Sequence, residues 1–263
     1  MRFLALLILA VGGPVGGPAV AHEFWISPPE YQVPAGSPAI ADIRVGESFK
    51  GNRNSYLDRR TERFDVVQGG QIIDPDATLG DRPVLNKVLP EGLAVVVYET
   101  TDSSLTYNEW EKFMRFVDHK AFDGFPDRHD ARGLPREGFV ETYRRYAKSL
   151  IAVGDGAGSD QRVGLTTEIV AMANPYTDDV SGGVPVQVLL RGAPRAGAQV
   201  EVYAKAPDGT VLVRLYETDA QGMATIAVAP GYEFMVDAVA LEEGEGEAAW
   251  HSMWANLTFK VPG

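Results

Sequence analysis

Short apolar runs separated by turn residues make up the first part of the chain. Between His22 and about Thr106 these runs are residues 24–26, 39–45, 64–67 and 93–98. Apolar runs of this length, bounded by glycine and proline, predict β-strands rather than helices. The spacing of the turn residues is typical of a small antiparallel sandwich. We therefore expect residues 22–106 to form an N-terminal β-sandwich.

The pattern becomes helical after Asn108. From Glu109 to Ala121 the apolar residues recur at helical spacing, and Asn108 precedes them as a candidate N-cap. A second helix is predicted from about Arg136 to Val153, because an apolar stripe recurs there at similar spacing. The members of this stripe are Phe139, Tyr143, Ala147 and Leu150.

A polar loop joins the two predicted helices, and a glycine-rich segment follows the second one. The loop covers residues 123–135, and the glycine-rich segment covers residues 154–158. Glycine clusters of this kind are typical of linkers. Residues 107–158 are therefore predicted to form a helical insert and a linker.

The last part of the chain returns to the strand pattern. Strands are predicted over residues 184–190, 198–204, 211–216, 224–228, 232–241 and 255–261. The sequence Pro207-Asp208-Gly209 supplies a turn between two of them. This part resembles the transthyretin-like or carboxypeptidase-regulatory-like sandwich, so we expect residues 159–263 to form a second, Ig-like sandwich. The expected fold class is mainly β, with two Ig-like or transthyretin-like β-sandwich domains and a helical insert between them.

The beginning of the chain follows neither pattern. Arg2 carries the only charge there, and the apolar run from Phe3 to Val11 is too short to cross a bilayer. Ala19-Val20-Ala21 provides the small residues that precede a signal-peptidase cut. Residues 1–21 are therefore predicted to be a cleavable signal peptide, so that the protein is exported and its mature form begins at His22.

Composition narrows the range of partners. The chain has 36 acidic and 24 basic residues, a formal net charge of −12 and no cysteine. An acidic surface repels phosphate backbones and attracts cations, which argues against nucleic acid as a partner. The absence of cysteine excludes disulfides and thiolate metal sites. No apolar run after residue 21 is long enough to span a membrane.

Histidines are therefore the main candidates for metal binding. Cleavage before His22 would give it a free α-amine beside its imidazole, and these two nitrogens can chelate one ion. His119 shares a helical face with Asp123, and His129 lies two residues after Asp127 in the polar loop. The candidate metal ligands are His22, His129, His119, Asp127 and Asp123.

Structural roles compete with metal binding at these positions. His119 suits the C-terminus of a helix, where a cation is favourable. His129 suits a solvated loop. His251 alternates with apolar residues of a predicted strand, which favours a packed position.

Motifs for catalysis are absent from the sequence. The chain has no Gly-x-Ser-x-Gly elbow, no P-loop and no dinucleotide-binding fingerprint. Its paired acidic residues occur in stretches typical of solvated loops. Nucleophilic catalysis therefore has little support in the sequence.

Several separated segments together resemble one uncharacterised periplasmic family, long labelled as the substrate-specific component of nickel uptake. The matching segments are Ala21-His22-Glu23-Phe24-Trp25, Arg132-Gly133-Leu134-Pro135, Glu141, Tyr143, Arg145-Tyr146-Ala147-Lys148-Ser149-Leu150, Asp219-Ala220-Gln221-Gly222, and Ser252 with Ala255-Asn256-Leu257-Thr258-Phe259. These segments are distributed over essentially the whole mature chain. The resemblance implies a periplasmic, nickel- or cobalt-associated binding protein rather than an enzyme, with no established ligand set.

Three functions are consistent with these features. The first is a periplasmic divalent-metal-binding protein that supplies nickel or cobalt to an envelope metal transporter. The second is copper binding, because an N-terminal histidine completed by a second histidine is similar to the histidine brace of copper carriers and copper oxygenases. Oxidation at such a copper site is the enzymatic alternative. The third is a metal-free envelope scaffold, or a carbohydrate or adhesion module.

Overall fold

The computed structural model describes residues 22–263. The predicted signal peptide, residues 1–21, lies outside the described residues. The described part of the chain consists mainly of β-strands that form large sheets, with two α-helices. This architecture confirms the predicted fold class.

Strands dominate both halves of the chain. The first half contains β1 (Glu23–Ser27), β2 (Gln32–Val33), β3 (Pro38–Glu47), β4 (Lys50–Asn54), a short 3-10 helix (Asp58–Arg60), β5 (Thr61–Gln68), β6 (Gln71–Ile73), β7 (Leu85–Val88), β8 (Gly92–Thr100) and β9 (Ser103–Tyr107). The helices α1 (Trp110–His119) and α2 (Phe125–Ala131) follow. The second half contains β10 (Phe139–Val153), β11 (Thr167–Ala171), β12 (Val184–Leu190), β13 (Ala193–Pro194), β14 (Gln199–Lys205), β15 (Val211–Glu217), β16 (Met223–Ile226), β17 (Glu233–Glu243) and β18 (Ala248–Lys260).

One ten-stranded sheet runs through both halves. Its main path is β15-β14-β17-β18-β10-β8-β5-β6, and β2 and β9 also pair with β10. The long strand β10 runs parallel to β18 on one side and antiparallel to β9 and β8 on the other. This strand therefore joins the two halves of the molecule.

Two smaller sheets pack on the ten-stranded sheet and give the molecule its sandwich character. The sheet of β1, β3, β4 and β7 encloses an N-terminal core with β5, β8 and β10. The sheet of β11, β12, β13 and β16 encloses a larger core with β14, β17 and β18. A third cluster, rich in aromatic residues, is formed by α1, α2, and parts of β10, β17 and β18.

The prediction of a second helix over residues 136–153 was wrong, because this segment is the strand β10. Phe139, Tyr143 and Ala147 are spaced by four residues, and a spacing of four places side chains on one face of a strand as well as a helix. The strand is also buried on both faces. Tyr146 and Leu150 enter the large core, whereas Ala147 and Ile151 enter the N-terminal core. The alternation of polar and apolar residues that marks a half-buried strand is therefore missing.

The predicted polar loop, residues 123–135, contains the helix α2. Gly124 precedes this helix with a φ of 75°, a left-handed conformation that glycine adopts without strain. Pro126 then occupies the first turn, where a missing N–H has no consequence. The first helix lies close to its predicted position, but its N-cap is Glu109 rather than Asn108 and makes no capping bond.

Candidate functional site

A buried polar seam lies between β1, the end of α1 and one face of the ten-stranded sheet. We use the name polar seam for Glu23, Lys120, Arg145, Glu201, Tyr203, Asp237 and Asn256. All of these residues except Arg145 are buried. Charged groups at this depth need partners, because an unpaired buried charge is costly.

Strand register creates the seam. Glu201 on β14 lies opposite Asp237 on β17, and Asp237 lies opposite Asn256 on β18. Their neighbours Val202 and Val236 point to the other face of the sheet, into the large core. One face of these strands is therefore apolar, while the other carries a row of three polar side chains.

β1 closes the seam with an alternating pattern. Phe24 and Ile26 enter the N-terminal core, whereas Glu23 and Trp25 face the ten-stranded sheet. The Glu23 carboxylate accepts a 2.7 Å hydrogen bond from the Tyr203 hydroxyl. Burial, together with the charge of Asp237, raises the pKa of Glu23 to about 7, although the Tyr203 hydrogen bond and Lys120 oppose this shift.

The end of α1 brings a cation into the seam. The Lys120 ammonium group lies 2.6 Å from the Glu201 carboxylate and 3.0 Å from that of Asp237. The Nε2 atom of His119 lies 3.1 Å from both Glu201 oxygens. Burial alone would raise the pKa of Glu201, but the His119 hydrogen bond and the charge of Lys120 outweigh it and lower that pKa to about 2. Glu201 is therefore an ionised carboxylate held between two basic groups.

Several polar atoms around the seam have no hydrogen-bond partner among residues 22–263. They are Glu23 Oε2, Trp25 Nε1, Arg145 Nε, and both side-chain polar atoms of Asn256. Each unpaired buried polar group costs about 1–3 kcal/mol. Such groups are uncommon in folded proteins, and their concentration in one place is typical of a functional site rather than a packing region.

His22 lies at the surface, where the seam meets solvent. Glu23 pairs with Gly46 in the register of β1 and β3, which places His22 next to Glu47. The His22 Nδ1 atom lies 3.4 Å from Glu47 Oε1, and the two side chains are 53% and 47% exposed. Arg145 Nη2 donates a 3.2 Å hydrogen bond to the His22 carbonyl oxygen. An imidazole and a carboxylate thus lie side by side and open to solvent.

His119 lies at another edge of the seam and is partly exposed. Its hydrogen bond with Glu201 raises the pKa of the imidazole above its ordinary value, against the opposing effect of burial. A carboxylate that holds one ring nitrogen in this way also orients histidines at metal sites. The nearest partner of His119 is Glu201, whereas that of His22 is Glu47.

His129 is fully buried in the aromatic cluster. Its Nδ1 accepts a 3.0 Å hydrogen bond from the indole of Trp250, and its Nε2 lies 3.0 Å from the Pro135 carbonyl oxygen. Both ring nitrogens are therefore occupied by the protein. Asp123 and Asp127 are exposed near the start of α2.

Within residues 22–263 no group of three or more histidine, aspartate or glutamate side chains forms a ready metal site. The three candidate histidines contact different partners instead. Glu47, Arg145, Glu201 and Asn256 were not predicted as site residues. The available signal was weak. Glu201 and Asn256 each have apolar residues immediately before and after them, and this pattern indicates a buried partner without identifying it.

Three of the segments that resembled one family in the sequence contribute residues to this region. Glu23 and Trp25 come from the first segment, Arg145 from the middle one, and Asn256 from the last. The model of a family described as Domain of unknown function (DUF4198) matches residues 19–242. The chain belongs to the DUF4198 family. The description of this family assigns no ligand or activity, so the DUF4198 match supports the family resemblance but not its association with nickel.

No curated protein matches this DUF4198 chain. Among solved structures, it is similar to a tetra-tandem repeat in the extending region of a large adhesion protein, with 10% identity and a TM-score of 0.21 over 91% of this chain and 49% of that one. A variant of Salmonella alpha-2-macroglobulin is matched with 14% identity and a TM-score of 0.26, over 99% of this chain and 16% of that one. The DUF4198 chain thus spans half or less of these proteins, and likeness at this level carries no functional argument. Among residues 22–263, no helix has the length and apolar character needed to cross a membrane.

Proposed function

We propose that this DUF4198 protein is an exported, periplasmic protein that binds a divalent transition-metal ion at the start of β1. The observation that carries the proposal is the 3.4 Å approach of His22 Nδ1 to Glu47 Oε1. Both side chains are about half exposed, so an ion can reach them from solvent.

The donor set fits such an ion once the chain begins at His22. The new α-amine and Nδ1 of the same residue form a six-membered chelate ring, and Glu47 adds a carboxylate oxygen. Nitrogen and oxygen donors of this kind suit nickel, cobalt, copper and zinc. The pairing of β1 with β3 and the hydrogen bond from Arg145 to the His22 carbonyl hold the first residue in place.

The proposed role is to supply nickel or cobalt to an envelope transporter. A net charge of −12 raises the local concentration of cations around the protein. Copper is the strongest competitor, because amine and imidazole donors bind it more tightly than nickel or cobalt. His129 is not part of the proposed site, since both of its ring nitrogens are already hydrogen-bonded.

Isothermal titration calorimetry with Ni²⁺, Co²⁺, Cu²⁺ and Zn²⁺ tests the proposal. The protein is purified from a periplasm, and intact mass and N-terminal sequencing establish that it begins at His22. We expect His22→Ala, or one extra residue before His22, to abolish most of the affinity. Glu47→Gln should weaken binding by about tenfold or more.

Two matched variants control for unspecific effects. Glu62→Gln removes an exposed carboxylate from β5, and His251→Ala removes a histidine outside the proposed site. Neither should change the affinity. The proposal fails if none of the four ions binds with a Kd below about 100 µM, or if blocking the His22 amine changes nothing.

A further inference from the structure

A cavity lies beside Arg145, and its lining differs chemically from the polar seam. It measures about 170 Å³ and is bordered by β1, the β3–β4 hairpin, the 3-10 helix, β8, β9 and β10. Its polar and aromatic lining includes Phe24, Arg60, Tyr98, Thr100, Tyr143 and Arg145. None of the described residues that line it is aspartate or glutamate.

Arg145 is the central cation of this cavity. Its guanidinium carbon lies 4.7 Å from the ring centre of Tyr143 and 6.0 Å from that of Phe24, so two aromatic rings position it. No carboxylate among residues 22–263 forms an ion pair with it within 4.0 Å. Its Nη2 is bonded to the His22 carbonyl oxygen, and its Nε has no partner among those residues. Burial lowers the pKa of Arg145, although Tyr143 and the carboxylates of Asp237 and Glu23 oppose this shift.

A second arginine and several hydroxyl groups surround the mouth of the cavity. Arg60 ends the short 3-10 helix, is exposed, and also lacks an ion pair among the described residues. Thr100 and Ser103 contribute hydroxyl groups from the end of β8 and the start of β9. These groups can hydrogen-bond an anion without repelling it.

The floor of the cavity is apolar. The rings of Phe24 and Tyr98 lie with their centres 5.5 Å apart, and Ile43 and Val45 lie next to them. Apolar surface beside a few convergent polar groups is the usual composition of a small-molecule site. The volume is below the roughly 300–1,000 Å³ of sites for drug-sized ligands, which limits the occupant to a small molecule.

We propose that this cavity binds a small organic carboxylate with an apolar body, about the size of benzoate. Arg145 and Arg60 hold the carboxylate, because guanidinium groups match its two oxygens in a planar fork. Phe24, Tyr98 and the aliphatic floor receive the body of the ligand. The site does not depend on the metal proposed at His22.

Calorimetric titration with benzoate tests the proposal on the mature protein. The buffer contains EDTA, so no metal ion is bound and the result does not depend on the proposed metal site. It contains no phosphate, because phosphate is a competing anion. We expect benzoate to bind with a Kd below about 1 mM. Benzamide, which has the same shape without the charge, should bind at least about tenfold more weakly.

Paired arginine variants separate the cavity from general surface charge. Arg60→Met should weaken benzoate binding by about tenfold. Arg59→Met removes an adjacent exposed arginine that does not line the cavity and should leave binding unchanged. Arg145→Lys keeps the charge but not the planar fork and should also weaken binding. Because Arg60 is exposed and unpaired, its variant tests the proposal even if changes at Arg145 disturb folding.

Three results would overturn the proposal. The first is the absence of measurable binding at a benzoate concentration 10-fold above the expected Kd. The second is equal loss in the Arg59 and Arg60 variants. The third is inorganic phosphate binding as tightly as benzoate, which would indicate a general anion site in which the apolar floor has no role.

Discussion

The indole N–H of Trp250 donates a 3.0 Å hydrogen bond to Nδ1 of His129. The bond requires a neutral imidazole whose other nitrogen carries the proton, and this nitrogen faces the carbonyl oxygen of Pro135. The imidazole therefore links α2 to β18 and to the segment before β10. His129, which the sequence suggested as a metal ligand, thus forms a buried structural connection between these elements.

Replacing His129 tests this structural role. We expect His129→Leu to lower the free energy of unfolding by about 2–4 kcal/mol, because Trp250 Nε1 and the Pro135 carbonyl lose their partner while buried. Urea unfolding measures the loss. Metal affinity of the folded variant should equal that of the parent, and a selective loss of metal binding at unchanged stability would contradict the assignment.

The pH dependence of stability should carry a contribution from Glu141. Burial raises the pKa of Glu141 to about 6, although hydrogen bonds from Ser252 and Tyr107 oppose the shift. The folded state therefore binds the proton more tightly than the unfolded state, whose carboxyl has an ordinary pKa near 4.5. Stability from this group is complete below pH 4.5 and falls by about 2 kcal/mol as the pH rises past 6. The free energies of unfolding of the parent and of Glu141→Gln, measured from pH 4 to 8, isolate the contribution of Glu141. A difference between the two proteins that does not change with pH would contradict this prediction.

Lys148 forms a buried ion network that connects β10 to β11 and to the segment before it. Its ammonium group lies 2.7 Å from Asp160 and 3.1 Å from Glu168, and all three side chains are almost completely buried. Lys148→Met should reduce the free energy of unfolding by about 3–5 kcal/mol, because it leaves two carboxylates buried without their cation.

An exposed ion pair provides the control for Lys148. Lys112 and Glu109 lie 2.6 Å apart, with side chains that are 35% and 57% exposed. Lys112→Met should cost less than about 1 kcal/mol. If both lysine substitutions lowered the free energy of unfolding equally, burial would not increase the contribution of the Lys148 network to stability.

Metal addition should stabilise the mature protein if the proposed site exists. At a free metal concentration 100-fold above Kd, mass action adds about 2.7 kcal/mol, equivalent to a rise in Tm of about 5–10 °C for a chain of this length. EDTA should reverse the rise. The Glu47→Gln variant should show a smaller rise and Glu62→Gln the full one; a rise that is the same in both would place the ion elsewhere.

Strands with distinct ends were predictable from the sequence, whereas β10 was not. Val184–Leu190 was predicted at its observed limits, because turn residues bound it on both sides. The strand β10 contains a four-residue spacing that a helix and a strand share. Pairing with β18, about a hundred residues later in the chain, decided between the two.

Of the residues at the candidate site, His22 and His119 were predicted from the sequence. His22 stood out because cleavage before it would create a chelating pair of nitrogens. Glu47 becomes its neighbour through the β1–β3 register, and Glu201 meets Asp237 through the β14–β17 register. Such pairings join residues that are distant in sequence, and no local pattern contains them.

The position of β10 couples the unfolding of the two halves of the molecule. It contributes Tyr146 and Leu150 to the large core, Ala147 and Ile151 to the N-terminal core, and Phe139 to the aromatic cluster. Neither half can lose its contacts with this strand without exposing the apolar surface of the other. Two sandwiches that share such a strand belong to one cooperative unit, so a calorimetric scan should show a single endotherm, and the amide protons of residues 146–151 should exchange only through global unfolding.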